Sequence, residues 1–128
     1  MPKGEKKKKI LIVEDDQTAR EALQTLLERQ NFRVLTASNG LAASEVFEQY
    51  GSPISLVISD IVMPEMGGIP LFRNLRKNHP LIRFLFITGH PLDSDTQKLL
   101  EEGHYHWLQK PFSVRELSSS ISEVLYDT

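Results

Sequence analysis

The chain has 128 residues, 40% of them apolar and 25% charged, with a formal net charge of -2 and no cysteine. That size and balance fit one globular domain around one core. The missing cysteines exclude disulfides, thiolate metal sites and cysteine nucleophiles, in keeping with a reducing compartment. Charge is uneven along the chain: residues 1–9 hold five lysines and one glutamate, so the remainder sets 10 Lys and Arg against 16 Asp and Glu. The expected organisation is a solvated basic tail or linker over residues 1–8 and one acidic domain over 9–126, with no nucleic-acid or membrane role for the domain. Apolar runs stop at roughly six residues, far short of the roughly 20 that a membrane-spanning helix needs, and no apolar stretch follows the lysines as in a signal peptide. A cytoplasmic location is expected.

The first apolar, β-branched run, Ile10–Val13, reads as a strand, and Leu23, Leu26 and Leu27 recur at helical spacing within Thr18–Gln30. Phe32–Ala37 is a second strand, Asn39-Gly40 a turn or helix stop, and Gly40–Tyr50 a helix on a looser stripe of Leu41, Val46 and Phe47. Gly51-Ser52-Pro53 breaks the chain before a third strand, Ile54–Ser59. A helix over Ile69–Asn78 ends at His79-Pro80, a fourth strand covers Ile82–Thr88, and a helix over Ser94–Glu102 stops at Gly103. Tyr105–Leu108 is the fifth strand. Val114, Leu117, Ile121 and Leu125 define a last helix, Val114–Leu125, and Ser113 with Glu116 forms a capping box before it. Strands that are continuously apolar, where one-sided strands would alternate, belong to a parallel sheet covered by helices on both faces. The reading is an α/β, (βα)5 doubly wound domain.

In such a sheet ligands bind beyond the carboxyl ends of the strands, so the polar residues just after each apolar run should converge. These are Glu14, Asp15 and Asp16 after the first strand, Asp60 after the third, Thr88 after the fourth, and Lys110, ahead of Pro111, after the fifth. Asp16 reads as the cap of the first helix. Two carboxylates about 5 Å apart repel by roughly 3 kcal/mol at an effective dielectric near 20, and Glu14, Asp15 and Asp60 make three such pairs. One lysine cannot cancel that; a hard dication can, and an all-oxygen donor set favours Mg²⁺ over zinc. Because Mg²⁺ usually shares its shell with phosphate oxygens, the crevice suits a phosphoryl group. Asp60 can attack phosphorus, Lys110 can neutralise equatorial oxygens, and the Thr88 hydroxyl can donate to one of them.

Four stretches together resemble the response regulator receiver domain of two-component signalling, over about Lys9 to Leu125: Ile10-Leu11-Ile12-Val13-Glu14-Asp15-Asp16, Asp60-Ile61-Val62-Met63-Pro64-Glu65-Met66-Gly67-Gly68, Thr88-Gly89 and Lys110-Pro111-Phe112. The resemblance implies a flavodoxin-like fold with a five-stranded parallel sheet in the order 2-1-3-4-5. It implies that Asp60 accepts phosphate from a sensor histidine kinase or a histidine phosphotransfer protein. Asp15, Asp60 and the backbone carbonyl of Val62 would ligate Mg²⁺, with Mn²⁺ able to substitute, while Glu14 holds a metal-bound water and Lys110 contacts Asp60. Thr88 and Trp107 would turn inward on phosphorylation and alter the surface of the fourth helix, fifth strand and fifth helix, where an output partner or fused domain reads the change. Such a domain is a switch rather than an enzyme, since it catalyses only its own phosphoryl transfer and dephosphorylation.

Val62 and His90, two residues past Asp60 and Thr88, would border the path of a hydrolytic water in that family. Val62 offers it no side-chain hydrogen bond, which predicts slow self-dephosphorylation, and His90 could add a pH dependence between about 5 and 8. His104 stands where the family usually has alanine, and His104 with His106 would share one strand face, a metal pair without an evident third ligand. Two other readings compete. A Mg²⁺-dependent phosphohydrolase with an aspartyl nucleophile would want a second acid where Val62 stands, and a constitutive, unphosphorylated interaction module would usually have lost an acid or the lysine. The lysine turn and basic lead-in also resemble receivers fused to hybrid sensor kinases; a stand-alone regulator is the other expectation.

Overall fold

A computed structural model describes residues 7–50 and 54–126. Strands and helices alternate as β1 (Lys9–Val13), α1 (Gln17–Arg29), β2 (Arg33–Ala37), α2 (Gly40–Tyr50), β3 (Ile54–Asp60), α3 (Gly68–Asn78), β4 (Phe84–Thr88), α4 (Ser94–Glu102), β5 (His106–Gln109) and α5 (Val114–Tyr126). All pairings are parallel, as the apolar runs implied, and the order is β2-β1-β3-β4-β5, as the family resemblance implied. Successive strand residues point to opposite faces, so each interior strand feeds two cores. Leu11, Val13, Val57 and Phe86 pack with Phe47, Leu71, Phe72 and Leu75 of α2 and α3. Ile10, Ile12, Ile58 and Ile87 pack with Leu23 and Leu27 of α1 and Leu117 and Ile121 of α5. Truncating a fully buried member such as Phe86 to alanine would cost about 3–5 kcal/mol. Among the described residues no helix is long and apolar enough to cross a membrane.

Local chemistry explains the element ends. Asp16 caps α1 by accepting from the Thr18 N–H, and Ser113 and Glu116 exchange the reciprocal bonds of a capping box, each at 3.0 Å. Asn39, read as part of a turn or helix stop, instead starts α2: its Oδ1 accepts from the Ala42 N–H at 2.8 Å. The α2 stripe is also shifted from the expected one, because Ala43 and Phe47 are buried while Leu41 is half exposed. Val114 is similarly exposed, and Leu117, Ile121, Val124 and Leu125 form the buried face of α5.

Two strands begin later than their apolar runs. Ile82 donates its N–H to the His79 carbonyl and closes a turn, so β4 starts at Phe84. Tyr105 donates its N–H to the Leu100 carbonyl, which makes it part of the α4 terminus, with His104 in the left-handed region at φ 56. His104 and His106 therefore do not share a strand face, and the metal-pair reading fails; His106 instead lies 3.8 Å from Glu123. Met1–Lys6 of the basic tail and Gly51-Ser52-Pro53 lie outside the described residues. Lys8, assigned to the tail, accepts from the Arg33 N–H through its carbonyl and so already joins the β1–β2 ladder.

Candidate functional site

Each polar residue singled out at a strand end is held there by the last bonds of the ladder. The Glu14 N–H donates to the Ala37 carbonyl, that of Ile61 to Ile87, and that of Lys110 to Thr88 at 2.8 Å. These bonds bring Glu14, Asp15, Asp60, Thr88 and Lys110 to one edge of the sheet. Carboxylate oxygens of Glu14, Asp15 and Asp60 all lie within 4.8 Å of one another. Glu14 is 1% exposed and Asp60 is buried, whereas Asp15 is open to solvent. This is a charged floor with an accessible rim.

Lys110, joined to Pro111 by a cis peptide bond, reaches into the cluster. Its Nζ lies 2.6 Å from Glu14 Oε1 and 3.7 Å from Asp60 Oδ2, so it contacts Asp60 as the family resemblance implied but pairs more closely with Glu14. Counting charges at the crevice could not have told the two apart; burial does, since the wholly buried carboxylate has most to gain from a close cation. Burial by itself pulls the Lys110 ammonium down, but the hydrogen bond and charge of Glu14, with the charge of Asp60 behind them, raise it above the ordinary lysine value. The other Glu14 oxygen accepts from the Asp16 N–H at 3.1 Å. Both Glu14 oxygens are thus engaged by protein, which suits a residue that meets a metal through water rather than directly.

The loop after β3 is tightly folded. Asp60 Oδ1 accepts from the Val62 N–H at 3.3 Å, and the Ser59 hydroxyl donates to the Asp60 carbonyl. Glu65 sits at φ 68, the Met66 N–H donates to the Pro64 carbonyl, and the Gly68 N–H returns to Ile61. A Cβ at Gly68 would lie 2.4 Å from the Asp60 carbonyl oxygen, so only glycine can open α3 this close to the strand. Val62 points outward, 58% exposed.

Thr88 is 1% exposed, and its hydroxyl donates to the His90 carbonyl at 2.9 Å while accepting from the His90 N–H at 3.2 Å. The hydroxyl is thereby folded back on its own loop. His90 is exposed and enters this site through its backbone. Trp107 is half-buried on β5 opposite Phe86, on the face shared with α3. Tyr105, equally half-buried and given no site role by the sequence reading, packs on the same face: its ring lies 5.0 Å from Phe72, and its hydroxyl accepts from Arg76.

The donor set tests well for a hard dication. It is all oxygen and carries three formal negative charges against one ammonium. An exposed carboxylate, Asp15, stands beside the buried Asp60. Residues 10–122 match the family model described as the response regulator receiver domain. The chain belongs to that family. This receiver domain is 37% identical over 116 residues to the sensor kinase CckA of Brucella abortus, covering 91% of the chain and 12% of that protein. It is also 37% identical over 123 residues to the response regulator receiver protein CpdR of the same organism, covering 92% of the chain and 97% of CpdR. Among solved structures, a receiver domain protein from Clostridium thermocellum superposes with a TM-score of 0.83 at 30% identity, over 91% of this chain and 93% of that one. The receiver domain thus corresponds to a small part of one relative and nearly the whole of another.

Proposed function

We propose that this receiver domain is a phosphorylation switch whose acceptor is Asp60 and whose donor is a phosphohistidine, carried by a sensor histidine kinase or a histidine phosphotransfer protein. One observation carries the reading: the buried Asp60 carboxylate stands at a strand end with Glu14 and Asp15 within 4.8 Å and the Lys110 ammonium at 3.7 Å. A carboxylate oxygen of Asp60 attacks phosphorus while the bond to the donor imidazole breaks. The imidazole leaves with the bonding pair and an acyl phosphate remains. Asp15, Asp60 and the Val62 carbonyl would hold Mg²⁺, or Mn²⁺ in its place, with Glu14 acting through water; when bound, the ion supplies positive charge to the phosphoryl oxygens.

The chain's own groups do the rest. Lys110 leaves Glu14 for a phosphoryl oxygen, a move of a flexible side chain already within reach of both. Thr88 gives up the His90 carbonyl and donates to another oxygen, and Trp107 follows into the space behind it. The face of α4, β5 and α5 changes, and the output partner or fused domain reads that change. Similarity to a sensor kinase and to a receiver protein supports a donor of the histidine-kinase type. The domain turns over no separate substrate and is a switch rather than an enzyme.

The test is incubation with Mg²⁺ and either acetyl phosphate or beryllofluoride. A stable adduct that is absent from Asp60→Asn is expected. Rapid multiple turnover would instead identify a phosphohydrolase, and no adduct at all would identify a constitutive interaction module.

A further inference from the structure

The loop that follows Asp60 touches α2 at a place that phosphoryl transfer does not involve. Gly40, the first residue of α2, is buried, and a Cβ built on it would lie 2.7 Å from Met66 Cβ, 2.9 Å from Met66 Cγ and 2.9 Å from the Met66 carbonyl oxygen. Real side chains do not approach so closely, so the contact exists because position 40 has none. Neither partner can easily retreat. Asn39 fixes the first turn of α2 through its side chain, at 2.8 Å from the Ala42 N, and through its carbonyl, at 3.0 Å from the Ala43 N. Met66 is held by its N–H bond to the Pro64 carbonyl at 2.7 Å, follows Glu65 at positive φ, and precedes the Gly68 N–H bond back to Ile61. Helix propensity would favour alanine at position 40. The glycine is therefore explained by what lies against it, not by α2 itself.

We propose that Gly40 is a positioning residue for phosphoryl transfer: its missing side chain lets Met66 seat on α2, and that seat sets the loop aiming Asp60 at Lys110 and the acidic pair. The proposal rests on Asp60 as phosphoacceptor. A methyl group at Gly40 would push Met66 outward by several tenths of an ångström and carry Val62–Gly68 with it, while leaving Lys110, Glu14 and Asp15 in place.

The experiment compares Gly40→Ala with Leu41→Ala, a change at the next, half-exposed position of the same helix. Phosphorylation by acetyl phosphate with Mg²⁺ is followed through the fluorescence of Trp107, the single tryptophan. Amide shifts of Ile61–Gly68 are recorded in the unphosphorylated protein. Gly40→Ala should phosphorylate slower, on the order of tenfold, with displaced loop shifts and a melting temperature a few degrees lower. Leu41→Ala should match the parent. Unmoved loop shifts and a parental rate in Gly40→Ala would overturn the proposal. If that variant does not fold, Met66→Gly, which removes both side-chain atoms that face Gly40, reads the same contact from the loop side: a slower rate in the folded protein supports the seat, and a parental rate rejects it. A parent protein that takes no phosphate sinks the acceptor reading alone, since the loop shifts of Gly40→Ala still decide the contact.

Discussion

Replacing Asp60 with asparagine removes the reacting oxygen and should nevertheless make the fold more stable. At an effective dielectric near 20, carboxylate oxygens at the outer limit of 4.8 Å repel by about 3.5 kcal/mol, and a carboxylate 3.7 Å from an ammonium is attracted by about 4.5 kcal/mol. Asp60 feels the buried Glu14 in full, and the exposed Asp15 at about half strength because solvent screens it. The repulsion relieved is then about 5 kcal/mol against about 4.5 kcal/mol of attraction lost, and removing a buried charge recovers some desolvation besides. Asparagine still offers an oxygen to the Val62 N–H. The net gain is about 1–2 kcal/mol, which for a domain of this size raises the melting temperature by roughly 3–7 °C. Thermal melts at low ionic strength with EDTA check it. Adding Mg²⁺ should then raise the parent's melting temperature more than the variant's and close the gap, since a ligand that binds only the folded state stabilises it. A variant that melts at or below the parent in EDTA would refute the reasoning, because the Glu14–Lys110 pair would already have quenched the crowding.

Three further outcomes follow from the same geometry. Lys110→Met leaves Glu14 buried and unpaired and should cost about 3 kcal/mol, a drop of roughly 10 °C in melting temperature. Because the Lys110 pKa is raised on folding, the parent keeps that contribution below the unfolded value near 10.5 and loses it as pH climbs through the folded one, so alkaline melts should bring parent and variant together. Val62→Asn places a side-chain amide at an exposed position two residues past Asp60 and should shorten the lifetime of the phosphorylated form; equal or slower loss of phosphate rejects that role. Thr88→Ala removes bonds made only to the His90 backbone, at a cost of about 1 kcal/mol, and should leave Asp60 able to take phosphate while abolishing most of the Trp107 fluorescence change.

Much of this is legible in the sequence, because hydrophobic period and turn chemistry are local. The alternating apolar runs and helical stripes place all ten elements, continuous apolarity makes the sheet parallel and doubly covered, and strand ends in such a sheet must converge. Glu14, Asp15, Asp60, Thr88 and Lys110 could be grouped on that argument alone. Boundaries set by competition between segments were not legible. Tyr105 and Ile82 have strand-like side chains, but their N–H groups close turns onto Leu100 and His79, and a backbone bond outweighs a weak local preference.

What the sequence determines by itself, then, is the fold class and the membership of the site, since both follow from periodicity and from where strands stop. Only the tertiary structure decides the partnerships within the site. Lys110 could have paired with any of three carboxylates, and the depth at which Glu14 is buried selects it. The Thr88 hydroxyl could have faced the acids, and the return of its loop turns it to the His90 carbonyl. Gly40 reads as turn punctuation in the sequence; the closeness of Met66 to where a side chain at position 40 would stand, across elements far apart in the chain, is what gives it meaning.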